Sequence, residues 1–69
     1  MEDTQIKEWV LAHHRLIVST QRPTREEAEM VFRIANAVDK TQIHRMTSCG
    51  RCFENAKRAI RRNLPELFE

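Results

Sequence analysis

The stretch Ser48-Cys49-Gly50-Arg51-Cys52-Phe53-Glu54-Asn55-Ala56-Lys57-Arg58-Ala59-Ile60-Arg61-Arg62-Asn63-Leu64 decides the fold. At about 100° per residue, Cys49, Cys52, Phe53, Ala56, Ala59, Ile60, Asn63 and Leu64 share one face of a helix. Arg51, Arg58, Arg61 and Arg62 share the opposite face, and Lys57 lies at the border. Ser48 reads as the N-cap, because its hydroxyl can accept a hydrogen bond from a first-turn amide that has no partner inside the helix. Pro65 ends the helix by turning the residues before it out of helical geometry. The stretch therefore predicts an amphipathic helix over 48–63 with basic side chains along its length.

Upstream, Ile6, Trp9, Val10, His13, Leu16 and Ile17 recur at helical spacing over 4–18, with Asp3 or Thr4 placed to cap the first turn. Leu11 and Val18 fall off that stripe and predict a small exposed apolar patch. After a polar break at 19–23, Thr24-Arg25-Glu26-Glu27 reads as a capping box, in which hydroxyl and carboxylate each satisfy a backbone amide. The helix it starts, over 25–39, carries Ala28, Val31, Phe32, Ile34, Ala35 and Val38, widened by Met30 and Ala37, and such breadth predicts contact from two sides. Residues 39–47 form a structured connector in which Thr41 is expected to cap one short turn through Arg45. A short tail, 65–69, holds Leu67 and Phe68, which either fold back or meet a partner. With one Gly and no alternating apolar run, strands have no support.

The expected fold is all-α: a compact three-helix domain spanning 1–69, with a structured connector before the third helix. Its predicted core holds Trp9, His13, Ile17, Val31, Phe32, Ala35, Phe53, Ala56 and Ile60. Sixty-nine residues make one small domain, of a size at which a metal, a disulfide or a partner often supplements the core. Apolar residues make up 41% and charged ones 32%, a balance that fits a globular chain and excludes wholesale disorder. No run approaches the roughly 18 apolar residues of a membrane span, and the acidic start resembles neither a secretory signal nor a transit peptide. These features predict a cytoplasmic location with reduced thiols, or a virion or host cell if the chain is phage-encoded. In general appearance the chain resembles short reading frames of phages and mobile elements.

Cys49 and Cys52 are spaced to place two sulfurs on one side of a turn, and a closed zinc site needs two further ligands. His13 and His44 are the candidates. The preferred reading is a pair of buried core thiols beside a hydrogen-bonded histidine, with no cofactor; zinc is the first alternative, and redox chemistry or a disulfide the second. Cys49-Gly50-Arg51-Cys52 also resembles the C-G-x-C of thioredoxin-like oxidoreductases, a resemblance that covers four residues. Those enzymes use a βαβ scaffold, which the helical pattern here lacks, so no function is carried over. His13 and His14 with Cys49 offer a base and a nucleophile without a recognisable oxyanion hole or cleft, and no enzymatic activity is expected.

The net charge of +2 hides an asymmetry, since residues 1–39 carry five Lys/Arg against seven Asp/Glu and residues 40–69 carry seven against three. Arg51, Lys57, Arg58, Arg61 and Arg62 form either a surface for nucleic acid or an acidic partner, or a solvated face balanced by Glu26, Glu27 and Glu29. The connector is too long for the turn of a helix-turn-helix, and no aromatic residue is interleaved for base stacking. Two functions are expected on these grounds. The preferred one is a small non-enzymatic protein-interaction module, or a minor subunit of a larger assembly, whose partner is another protein or a second copy and whose interface includes Leu11, Val18, Leu67 and Phe68. The alternative is a small regulatory nucleic-acid-binding module, with zinc as a candidate stabiliser.

Overall fold

The computed structural model describes residues 2–47 and 49–68. In chain order these form α1 (Asp3–Ala12), α2 (His14–Val18), α3 (Arg25–Val38), α4 (Gly50–Asn63) and a 3-10 turn (Pro65–Leu67). The chain is an all-helical globule, 70% helix, with three longer helices and one short one and no strand among the described residues. No helix there is long and apolar enough to cross a membrane.

The expected first helix breaks at His13, whose φ of −117° and ψ of 29° leave helical geometry. Its amide is shared between the Trp9 carbonyl at 3.0 Å and the Val10 carbonyl at 3.2 Å, and its ring Nδ1 donates to the same Trp9 oxygen at 2.9 Å. The break changes the helical phase. Ile6, Val10, Leu16 and Ile17 reach the core, whereas Trp9 and His13, both expected inside it, are half-buried and stack with ring centroids 3.9 Å apart. The cap of α1 also differs from expectation, since it is Glu2 whose amide donates to the Gln5 side chain at 3.1 Å.

The capping box of α3 forms as the sequence predicts: the Glu27 amide donates to Thr24 Oγ1 at 3.1 Å, and the Thr24 amide donates to Glu27 Oε1 at 2.8 Å. Val31, Phe32, Ile34 and Ala35 are buried, and Ala28, Met30, Ala37 and Val38 pack around them. From α4 come Phe53, Ala56, Ala59 and Ile60, with the Phe32 and Phe53 rings tilted against each other at 6.2 Å. The N-cap of α4 is Cys49; Ser48, expected to fill that position, lies outside the described residues.

The starts of α3 and α4 adjoin, since Thr24, Ala28, Gly50 and Phe53 line one groove. Their ends adjoin as well, since Arg62 reaches Asp39. The two helices therefore run in the same general direction, and the connector must return the length of a helix. Fourteen helical residues rise about 21 Å, and an extended connector of this length reaches further than that. This requirement explains why 43–47 hold no short helical turn. Thr41 does not cap one; its amide and hydroxyl both donate to Asp39 Oδ1, at 2.9 and 2.6 Å.

The tail folds back. The 3-10 turn places Leu67 and Phe68 against the core, Phe68 stacks on His14 at 5.0 Å, and Glu66 lies 3.8 Å from Lys7. Truncating Phe32 to Ala should cost about 3 to 5 kcal/mol and Thr24 to Ala about 1 kcal/mol. Urea unfolding followed by circular dichroism measures both; equal small losses would mean that the α3–α4 seam does not carry the core.

Candidate functional site

The connector is fixed by two side chains of α3 and its C-cap. Asn36 engages both backbone groups of His44, donating from Nδ2 to its carbonyl at 2.7 Å and accepting from its amide at 2.7 Å. This is the pairing a neighbouring strand would offer, supplied by an amide side chain. Asp39, 3% exposed, receives four hydrogen bonds. Thr41 supplies the two described above; His44 Nε2 donates to Oδ2 at 2.8 Å and Arg62 to the same oxygen at 3.2 Å. An ionised carboxylate only accepts, so the His44 proton sits on Nε2. The Thr41 hydroxyl foremost, then His44 and the Thr41 amide, hold the Asp39 carboxyl well below the usual carboxylate range, outweighing its burial, and the charge of Arg62 adds to this.

With His44 buried at 7% exposure, its neighbours project from a fixed backbone. Ile43 is 78% exposed, Met46 is also exposed, and Arg45 faces solvent. Sequence reasoning left Ile43 and Met46 out of the interface, although an isoleucine in a polar connector is the signal for it. A groove of about 360 Å3 lies between this segment and α4, with Phe32, Ile43, Arg45, Cys52 and Asn55 among its walls.

The basic row divides. Lys57 is 1% exposed; its ammonium donates to the Ser19 carbonyl at 2.6 Å, pairs with Glu54 at 2.7 Å and lies 5.2 Å from the Phe53 ring centre. It is withdrawn from the surface on which it was expected. Arg61 is half-buried and donates to the Ile17 carbonyl at 2.6 Å, so two cations of α4 satisfy carbonyls at the end of α2 that have no helical partner. Arg62 holds Asp39. Arg51 and Arg58 are exposed, and among the described residues no carboxylate pairs with either. The expected balance by α3 takes another form, because Glu27 serves the capping box and Glu29 lies 3.6 Å from Arg25.

The zinc candidates are not brought together. His13 binds the Trp9 carbonyl and His44 binds Asp39. Among the described residues no three His, Cys, Asp or Glu side chains are placed to share an ion. Both cysteines are free thiols, but they do not make the buried pair expected, since Cys49 is exposed and Cys52 half-buried. Hydrogen bonds from the Cys52 amide, then the Cys52 thiol and the Arg51 amide, lower the pKa of the Cys49 thiol. Of the interface candidates, Leu11 and Val18 are exposed as expected, while Leu67 and Phe68 are partly covered by the core.

Compared with known proteins, the chain matches no family model, no curated protein and no solved structure. The functional reading therefore rests on the geometry.

Replacing Lys57 by Ala should destabilise the fold by about 2 kcal/mol or more, through a lost packing volume and an unsatisfied Ser19 carbonyl, whereas Arg58 to Ala should stay within about 0.5 kcal/mol. Urea melts of the two variants check the division of the basic row. For Asp39, a folded-state pKa depressed below the ordinary value of 3.8 gives stability that is complete above that value and is lost as pH falls below it toward the folded value. Asp39→Asn should be less stable than the native chain at neutral pH, and the two should converge below about pH 4. Parallel acid titrations by circular dichroism would show this; a constant gap at all pH values would remove Asp39 as the source.

Proposed function

We propose that this protein is a small non-enzymatic protein-interaction module or a minor subunit of a larger assembly. The observation that carries the reading is Ile43, a large apolar side chain 78% exposed beside a residue whose backbone is held on both sides by Asn36. A single exposed apolar residue on a mobile loop means little. One presented from a fixed backbone has its ordering cost already met, which is the condition for a useful binding contact. Leu11 at 56% and Val18 at 50% exposure offer further area that a partner can cover.

A second reading, nucleic-acid binding, is favoured by Arg51 and Arg58, which are exposed and without a carboxylate partner among the described residues. It loses support from the burial of Lys57 and the internal bonds of Arg61 and Arg62, which reduce the phosphate-facing charge. Salt-titrated binding to DNA and RNA, paired with light scattering over a range of concentrations, separates the readings. The proposed function expects no micromolar nucleic-acid binding at physiological salt, together with self-association or complex formation weakened by Ile43→Asp or Leu11→Asp. Micromolar nucleic-acid binding that Arg51→Ala and Arg58→Ala abolish would replace the proposal with the second reading.

A further inference from the structure

We infer that the groove between the connector and α4 is a docking site for an acidic segment of another polypeptide, anchored by an apolar side chain at its centre. This rests on the protein-interaction reading and names the partner's chemistry. Among walls that are otherwise polar, Phe32, the half-buried Cys52 and the projecting Ile43 supply an apolar surface. Apolar anchors entering a pocket of this kind, rather than the whole contact area, supply most of the affinity of a docked segment.

The rim is basic. Arg45 stands on the connector side. On α4, Asn55 lines the groove, and the exposed Arg51 and Arg58 lie beside the groove, within about 60° of Asn55 on the helical wheel. Asp39 takes up the charge of Arg62, Glu29 faces Arg25 and Glu54 is engaged by Lys57, whereas among the described residues no carboxylate pairs with Arg45, Arg51 or Arg58. No carboxylate is among the groove's described walls. An acidic segment supplies the missing charge, steering the encounter and fixing its register. A nucleic-acid strand fits less well, because bases need exposed aromatic faces and the rings among the groove's described walls, Phe32 and His44, are only 3% and 7% exposed.

The test is an amide-resolved NMR titration of the full chain with a short peptide of glutamates around a central pair of leucines. A serine-for-leucine peptide and a single-stranded oligonucleotide serve as comparison probes. Saturable shifts at Ile43, Arg45, Cys52 and Asn55 are expected, with affinity falling at least about tenfold in Ile43→Asp and for the serine peptide. Ile43 is exposed, so this variant keeps the fold, and its melting curve verifies that. Shifts absent from the groove, or equal binding of the serine peptide, would overturn the inference. Shifts confined to Leu11 and Val18 would overturn the groove and leave the interaction reading standing. Tighter oligonucleotide binding, lost in Arg51→Ala with Arg58→Ala, would overturn both.

Discussion

The Asp39 carboxylate is the constraint on which the arrangement depends. It closes α3, receives the connector through Thr41 and His44, and ties down the end of α4 through Arg62. A buried carboxylate without donors is costly, and one with four is a strong fixed point. Since α3 and α4 run in the same direction, the chain between them must return along their flank, and a return segment has no helical hydrogen bonds of its own. Asp39 and Asn36 provide the substitutes. The same two residues that solve this folding problem decide where Ile43 and Arg45 project, which joins the stability of the fold to the surface proposed for binding.

The basic residues of α4 illustrate how one helix face serves two purposes. A five-residue helix, α2, leaves most of its carbonyls without intrahelical partners, and Lys57 and Arg61 reach across to that end. Lys57 lays its aliphatic stem inside the core and brings its charge to a carbonyl, a carboxylate and an aromatic ring together, an arrangement that compensates for lost hydration. Arg51 and Arg58 have no such partner among the described residues. The local excess of positive charge is therefore partly structural.

The spans of α3 and α4, the Thr24 capping box, the core positions Val31, Phe32, Ala35, Phe53, Ala56 and Ile60 and the stop at Pro65 were legible in the sequence, because each follows from local chemistry or from a period of about 3.6 residues. Leu11 and Val18 were legible as exposed for the same reason. The break at His13 was not, since it arises when Leu16 and Ile17 turn to reach a core built by distant helices, and a wheel drawn for a straight helix put Trp9 and His13 inside instead. Periodicity also placed Lys57 at a border and could not show that the border would be covered by the end of α2. Likewise, the spacing of Asn36, Asp39, His44 and Arg62 carries no recognisable pattern; their network exists only because two parallel helices leave a segment to be pinned between them. Apart from the break at His13, which segments are helical and which faces are apolar depend on neighbours within a turn or two, so local chemistry sets them. Tertiary structure alone decided which cations are withdrawn from solvent and which connector residues are displayed, because these depend on where α2, α3 and α4 meet.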